Sequence, residues 1–139
     1  MKKQILLLIL SVFSTAFIFA LDADAILGRY HLPNQLDIEI FKLEGKYFGK
    51  IVGLDGFDGG QQLDINNPEK ALRTEPLLGK TIINNLEYDS SVNQWVDGSM
   101  YGPEKGLLFS LKITQIREYE IEVIGSKYLF WKKMTWEKL

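Results

Sequence analysis

The feature that most constrains the fold is a series of short segments in which apolar and polar residues alternate, with no long helical pattern between them. In residues 36–40, for example, leucine and isoleucine alternate with Asp37 and Glu39. This period of two is typical of half-buried β-strands. Short links rich in Gly, Asp, Ser and Pro join the segments and predict hairpins. The predicted strands cover residues 36–40, 46–52, 81–88, 94–101, 107–114, 119–124 and 127–136.

These segments predict an all-β, antiparallel up-and-down β-barrel in which each strand pairs with the next. The links are short, and a closed meander removes the exposed edges of an open sheet. A β-sandwich is the alternative. Glycines in or beside strands allow sharp coiling or a bulge, and here they stand at positions 49, 53, 98 and 125.

The N-terminus has the layout of a secretory signal peptide. Lys2 and Lys3 are followed by an apolar run over residues 5–21 and then by Ala23-Asp24-Ala25. A basic start, an apolar segment and small residues at the positions read by signal peptidase define such a peptide. We therefore predict a signal peptide over residues 1–25 and a periplasmic or secreted protein.

Cleavage after Ala25 would leave residues 26–139 as a single β-barrel domain, large enough to bury its own core. Cleavage after Ala20 is less favoured, because Ile18 would take a position that prefers a small side chain. An uncleaved membrane anchor is a further alternative, since the run is near the lower limit of about 17 residues for a spanning helix.

Composition excludes several classes of protein. The sequence has no cysteine, which excludes lipid attachment at a cysteine, disulfides and thiol chemistry. The net charge of −2 gives no electrostatic basis for binding nucleic acid. Asp37 and Glu39 on one strand face, and Lys46 and Lys50 on another, interrupt any lipid-facing apolar band. We therefore expect no stable membrane insertion after signal cleavage.

Residues 64–79 form the one segment that does not have a strand pattern. Asn67-Pro68 is typical of a helix start, and Glu75-Pro76 of a helix end. We expect one or two helical turns over residues 67–74, lying across one end of the barrel as a lid with Arg73 near the rim. Three leucines would point inward, namely Leu72, Leu77 and Leu78.

Several short motifs occur in an order that matches a known family. They are Asn66-Asn67-Pro68, Ala71-Leu72-Arg73, Pro76-Leu77-Leu78-Gly79, Trp95, Gly98, Met100-Tyr101, Pro103, Gly106, Gly125 and Trp136. The sequence resembles a family of small secreted bacterial proteins known as domain of unknown function number twenty-one forty-seven. This resemblance implies a lipocalin-like (calycin) barrel and no established activity. Gly28-Arg29-Tyr30 is similar to the Gly-x-Trp start of such barrels.

The sequence departs from the family pattern after the tryptophan strand. Relatives usually have Ile-Tyr-Asp-Pro followed by Gly-Lys-x-Tyr, whereas this chain has residues 100–103 as Met-Tyr-Gly-Pro and 106–109 as Gly-Leu-Leu-Phe. The loop acid, the lysine and the tyrosine of that pattern are therefore replaced. A site that uses those groups in relatives is altered here.

Catalytic and metal-binding patterns are scarce, so we predict no catalytic residues, no metal and no cofactor. His31 is the only histidine and stands beside Tyr30 at the start of a strand. The serines lie in no nucleophile elbow. Asp37 and Glu39 fall on a solvated strand face, and the acids of the Gly-rich loop over residues 55–66 lack the spacing of a calcium site.

Arg73 is the leading candidate for a ligand contact, because a guanidinium binds carboxylates and other anions with two parallel hydrogen bonds. A structural role, tying the lid to the barrel or to Glu75, is the alternative. Strand aromatics either pack in the core or line a cavity. The candidate ligand-binding residues are Arg73, Asn66, Asn67, Trp95, Tyr101 and Tyr128.

The function predicted from these features is binding of a small hydrophobic or amphipathic molecule, such as an envelope lipid. A structural or protein-interaction module with a filled barrel is the alternative. An enzyme is disfavoured, because the sequence lacks a recognisable set of nucleophile and base.

Overall fold

The structure is a computed structural model that describes residues 22–139, and these residues form a closed antiparallel barrel of eight strands. Each strand pairs with the next, and β8 closes the barrel on β1. The prediction of an all-β up-and-down barrel is therefore confirmed. The strands are β1 Gly28–His31, β2 Asp37–Leu43, β3 Lys46–Gly53, β4 Thr81–Asp89, β5 Gln94–Gly102, β6 Leu107–Ile116, β7 Glu120–Lys127 and β8 Phe130–Lys138.

The predicted signal segment lies mostly outside the described residues, since it covers residues 1–25. Within residues 22–139, no helix is long and apolar enough to cross a membrane. The connections between strands alternate between the two ends of the barrel. We call the end with the β1–β2, β3–β4, β5–β6 and β7–β8 connections the open end, and the other the closed end.

A short 3-10 helix, Ala23–Ile26, packs at the closed end. Three large side chains of the barrel interior hold it in place. The Trp95 Nε1 donates to the Ala23 carbonyl at 2.9 Å, the Tyr30 hydroxyl to the Ile26 carbonyl at 2.9 Å, and the Tyr47 hydroxyl to Asp24 Oδ1 at 2.5 Å. Burial raises the pKa of Tyr30 to about 12. The closed half of the barrel is therefore filled and plugged.

Gly98 illustrates why glycine stands inside a strand here. A Cβ atom at this position would lie 2.5 Å from Leu86 Cδ2, and the β5–β6 register shifts between Trp95 and Gly98. A side chain would collide with the core at this bulge. The predicted link between an in-strand glycine and a bulge is confirmed at this position.

The last hairpin is offset from its predicted place. We predicted a turn at Gly125-Ser126, but both residues lie within β7, and the turn consists of Tyr128 and Leu129. Gly125 is needed for packing rather than for turning, because a Cβ there would approach the Phe109 ring to 3.1 Å. The turn prediction was therefore wrong by three residues.

The β3–β4 connection, residues 54–80, contains two 3-10 turns, Asp58–Gly60 and Lys70–Leu72. The predicted helix over residues 67–74 is thus a single turn that starts three residues later. The Asn67 side chain bonds Asp64 Oδ2 at 2.7 Å and accepts from the Glu69 N–H at 2.9 Å, which holds it outside the helix.

The predicted inward orientation of the three leucines is correct for one of them. Leu77 is fully buried, Leu72 is half-buried, and Leu78 is exposed. The connection also contributes Leu54 and Phe57 to the hydrophobic core. It therefore adds core volume at the open end in addition to linking two strands.

Candidate ligand-binding site

A buried carboxylate fastens the β3–β4 connection to the barrel. Asp64 is fully buried, and three side chains converge on it. Its Oδ1 accepts from the Tyr101 hydroxyl at 2.7 Å, and its Oδ2 accepts from Asn67 Nδ2 at 2.7 Å and lies 3.2 Å from Lys80 Nζ. A buried carboxylate with this many donors is a structural anchor.

The protonation of this cluster follows from its partners. Burial alone would raise the pKa of Asp64, but hydrogen bonds from Asn67, Tyr101 and Lys80 outweigh it and hold the pKa below its ordinary value. Burial, together with the hydrogen bond to Asp64, raises the pKa of Tyr101 well above its ordinary value. The cluster is therefore a carboxylate held by a neutral phenol and an ammonium at neutral pH.

Asn66 and Arg73 stabilise the same connection. Asn66 Nδ2 donates to the carbonyls of Pro103 and Glu104 at 3.2 Å and 3.1 Å, which joins the connection to the β5–β6 turn. Gly106 completes this contact, because a Cβ at its position would overlap the Asn66 carbonyl oxygen. The Arg73 Nε donates to the Asn67 carbonyl at 2.7 Å. The structural alternative predicted a bond from Arg73 to the barrel or to Glu75. The observed bond instead joins two residues of the β3–β4 connection.

The six candidate residues from the sequence do not share one pocket. Trp95 is buried and bonded at the closed end, whereas Tyr101 bonds the connection near the open end. Tyr128 lies almost fully exposed at the tip of the last hairpin. Four of the six, Asn66, Asn67, Arg73 and Tyr101, belong to or contact the β3–β4 connection. Their contact with a ligand stays a prediction.

Two adjoining cavities lie at the open end, on the side of the barrel formed by β5 to β8. One has a volume of about 340 Å³ and the other about 280 Å³. Both are lined by four shared residues, Glu104, Phe109, Lys132 and Met134. We call this pair of cavities the mouth. Its size is in the lower part of the range for small-molecule sites.

The wall of the mouth is mainly apolar. Met100 and Trp136 line the smaller cavity, and Leu107 and Phe130 line the larger one. Leu32 and Pro33 of the β1–β2 connection border the smaller cavity. An apolar wall with a few polar groups is the usual composition of a ligand site.

Trp136 is the most informative residue of the mouth. Its side chain is buried, yet its Nε1 has no hydrogen-bond partner among residues 22–139. Trp95, the other buried indole, is bonded to the Ala23 carbonyl. A buried donor without a partner costs about 1–3 kcal/mol, so such groups call for an explanation at the site where they occur.

Charged groups stand around this apolar wall. Lys132 lines both cavities, and its ammonium makes no hydrogen bond or ion pair with another described residue. Lys127 lines the larger cavity, and its Nζ donates to the Leu108 carbonyl at 2.8 Å. Glu104 accepts from Asn34 Nδ2 at 3.4 Å. Lys132 is therefore the free cation at the mouth.

His31 lies outside the mouth, at the end of β1. Its Nδ1 is 2.6 Å from Asp37 Oδ1, and its Nε2 is 3.2 Å from Gln35 Oε1. The hydrogen bond with Asp37 raises the pKa of His31 above its ordinary value. Within the described part of the chain, no group of three or more acidic or histidine side chains could hold a metal ion.

Comparison with known proteins identifies the family. Over residues 29–138 the sequence matches the family described as "Uncharacterized protein conserved in bacteria (DUF2147)". The chain belongs to this family. The resemblance found in the sequence is therefore confirmed.

The barrel of this DUF2147 protein is similar to a solved structure, protein HP1028 from Helicobacter pylori, which is described as belonging to the lipocalin family. The TM-score is 0.72, the sequence identity is 19%, and the match covers 82% of each chain. At this identity the likeness shows the fold alone, a lipocalin-like barrel. No curated protein matches the sequence.

Sequence reasoning missed the mouth of this DUF2147 protein. Lys132, Met134 and Trp136 alternate along β8 and therefore share one face. That alternation was visible in the sequence and could have marked an inward-facing stripe with a lysine near its end. The unpaired state of the Trp136 indole had no sequence signal, because it depends on distant strands.

Proposed function

We propose that this protein binds a small amphipathic molecule in the mouth, with its apolar part against the wall and its polar group near Lys132. The observation that carries this proposal is that Trp136 lines the mouth while its buried Nε1 has no hydrogen-bond partner among the described residues. A ligand oxygen that displaces the side chains covering this group and accepts from it would remove the cost of an unsatisfied donor.

The charge at the mouth favours an anionic polar group. Lys132 is unpaired, whereas the nearby carboxylate of Glu104 has Asn34 as a donor. An ammonium beside an apolar wall attracts a carboxylate or phosphate more strongly than it would in bulk water. The ligand class is therefore an apolar chain with an anionic head.

The ligand must be short, because the closed half of the barrel is filled. Trp95, Tyr47 and Ile113 are fully buried below the mouth. Barrels of about eight strands leave room for one small ligand at most. A medium-chain carboxylate fits a cavity of about 340 Å³ better than a long diacyl lipid does.

This proposal makes the protein a binding protein rather than an enzyme. Its support is the composition of the mouth, whose polar lining residues, among those the structure describes, include no histidine and are Asn34, Glu104, Ser126, Lys127 and Lys132. The single histidine, His31, is bonded to Asp37 and Gln35 elsewhere. The fold shared with a protein described as a lipocalin agrees with a binding role.

We also propose that the protein acts in the periplasm or outside the cell, after removal of its signal peptide. The basic and apolar layout of residues 1–21 supports export. The packing of Ala23 and Asp24 against Trp95 and Tyr47 favours the alternative cleavage after Ala20, which keeps both residues, over cleavage after Ala25. N-terminal sequencing of the exported protein distinguishes these two positions.

Calorimetric titration with decanoate tests the binding role. We expect saturable binding of decanoate, and Lys132→Gln should weaken it about tenfold or more, as loss of a charge-assisted hydrogen bond does. Lys112→Gln, a substitution on the outer face of β6, is the matched control and should bind like the unchanged protein.

Two results would overturn the proposal. One is that Lys112→Gln and Lys132→Gln weaken decanoate binding equally, because the effect would then come from the overall charge of the protein. The other is absence of decanoate binding together with absence of any amphiphile in mass spectra of extracts of the purified protein.

A further inference from the structure

The tip of the β7–β8 hairpin exposes four consecutive large residues to solvent. The exposed fractions are 92% for Tyr128, 95% for Leu129, 82% for Phe130 and 69% for Trp131. We call these four residues the apolar tip. Soluble proteins expose single apolar residues freely, but contiguous apolar patches mark interaction sites.

The chemistry of turns does not explain the apolar tip. Two-residue hairpin turns favour Gly and Asn, because these residues tolerate positive φ. The β2–β3 hairpin follows this rule with Glu44 and Gly45, at φ of 51° and 78°. In the β7–β8 hairpin, Tyr128 takes a φ of 55°, which is unfavourable for a bulky side chain. The residues of the apolar tip are therefore unfavourable both for the backbone conformation of the turn and for exposure to water.

Two leucines of the neighbouring strand extend the apolar tip. Leu107 and Leu108 begin β6 and are both exposed. Lys127 Nζ donates to the Leu108 carbonyl, so the start of β6 lies directly beside the hairpin. The exposed apolar surface thus spans β6 and the tip at the open end of the barrel.

The charges of the β7–β8 hairpin and of the β5–β6 turn are mainly positive. Lys127 and Lys132 flank the apolar tip in sequence, and Lys105 belongs to the β5–β6 turn at the same end. One carboxylate, Glu104, belongs to that turn, and it accepts a hydrogen bond from Asn34. Three lysines against one bonded carboxylate attract a negatively charged surface.

We propose that the apolar tip docks on the surface of a lipid bilayer that carries anionic headgroups. Tyr and Trp favour the interface between headgroups and acyl chains, and Leu and Phe favour the apolar layer just below. Flanking lysines bind anionic headgroups while their stems lie along the apolar surface. Docking is peripheral, and it places the β7–β8 hairpin against the bilayer rather than the β3–β4 connection, whose exposed acids Asp55, Asp58, Glu69 and Glu75 belong to the same end.

An anionic bilayer explains the exposed apolar residues and the flanking lysines better than a second copy of the chain does. Two copies meeting through their tips would bring Lys127 and Lys132 of each copy close to the same cations of the other, and like charges repel. An anionic bilayer offers an apolar layer to the apolar residues and negative headgroups to the lysines. The tip shares Phe130, Trp131 and the two flanking lysines with the mouth, so the test of docking substitutes Tyr128 and Leu129, which line neither cavity.

The test is flotation of the protein with two kinds of vesicle, phosphatidylcholine alone and phosphatidylcholine mixed with phosphatidylglycerol. We expect binding to the mixed vesicles, weaker binding to phosphatidylcholine, and release by salt. The double variant Tyr128→Gly, Leu129→Ser should bind the mixed vesicles about tenfold less or weaker.

This variant keeps the protein folded, because glycine suits the positive φ at position 128. Its melting temperature should equal or exceed that of the unchanged protein, and its decanoate binding should be unchanged. The matched control is Leu43→Ser, which removes an exposed leucine at the closed end and should leave vesicle binding intact.

Several outcomes would overturn the inference. If Leu43→Ser and the double variant lost equal amounts of vesicle binding, the effect would come from overall surface hydrophobicity and not from the apolar tip. Failure of the unchanged protein to float with the mixed vesicles would also overturn it. Sedimentation would then show whether the tip instead joins two copies of the chain.

Discussion

Tyr101 donates a hydrogen bond to the fully buried carboxylate of Asp64 across 2.7 Å, and this bond joins the wall of the barrel to the β3–β4 connection. The two residues are 37 positions apart in sequence. Lys80 and Asn67 bind the second oxygen of the same carboxylate. Asp64 therefore joins two other parts of the β3–β4 connection to each other and to β5.

Removing this hydroxyl should destabilise the protein without unfolding it. We expect Tyr101→Phe to lower the free energy of unfolding by about 1.5–3 kcal/mol, since the bond involves a charged and buried acceptor. Urea denaturation measures this change. Tyr119→Phe is the control, because Tyr119 is largely exposed and should change stability little. Equal stability of the two variants would contradict the anchoring role of Asp64.

Arg73 should act on stability rather than on ligand binding. The Arg73→Ala variant loses the bond from Nε to the Asn67 carbonyl, which is worth about 1 kcal/mol. A lower melting temperature with unchanged decanoate affinity is the expected result. Lys70→Ala, in the same 3-10 turn, serves as the control. Weaker decanoate binding with unchanged melting would instead make Arg73 a ligand contact.

The residues before Ile26 should contribute strongly to stability. A chain that begins at Ile26 leaves the Trp95 indole and the Tyr47 hydroxyl without their partners Ala23 and Asp24. Each lost hydrogen bond costs about 0.5–1.5 kcal/mol, and the packing of the helix against the barrel is lost with it. Urea denaturation should therefore find this chain clearly less stable than one that begins at Leu21, the product of cleavage after Ala20. Equal stability would mean that the 3-10 helix is dispensable.

His31 should make stability depend on pH in a defined direction. Since Asp37 raises the pKa of His31, the folded protein holds the proton more tightly than the unfolded chain does. The stabilisation is complete below the unfolded pKa of about 6.5 and is lost as the pH rises through the higher folded pKa. His31→Gln should remove this part of the decline.

The measurement is urea denaturation of both proteins at a series of pH values on either side of about 6.5. The assignment is direct because the chain has a single histidine. Asp37→Asn should flatten the profile in the same way. An identical decline in His31→Gln and in the unchanged protein would contradict the assignment.

The fold was predictable because strand periodicity and short links are local properties of the sequence. The alternation in residues 36–40 required no knowledge of the partner strand, and the nearest-neighbour topology followed from the link lengths. The last turn was misplaced because Gly125 resembles a turn residue locally. Its actual role depends on Phe109 and Met134, which lie on two other strands.

The candidate site was less predictable because it depends on contacts distant in sequence. Asn66 and Asn67 were predicted to contact a ligand, and the structure shows them bonded to Pro103 and Asp64, partners that no local pattern could indicate. The mouth is formed by the β1–β2 connection, the β5–β6 turn and strands β5 to β8, and no local pattern shows which inward side chains stay uncovered. The alternation of Lys132 with Met134 and Trp136 could have placed Lys132 on the inner face, but it could not show that its ammonium lacks a partner among the described residues.

The most direct test of the account is the indole N–H resonances of the three tryptophans, followed by nuclear magnetic resonance during titration with decanoate. Single Trp→Phe variants assign the three signals. The Trp136 signal should move downfield as its Nε1 gains an acceptor, while the Trp95 signal should stay in place, because that indole is bonded to Ala23 at the closed end. A Trp136 signal that stays unchanged when decanoate binding is saturated would contradict the claim that the mouth is the ligand site.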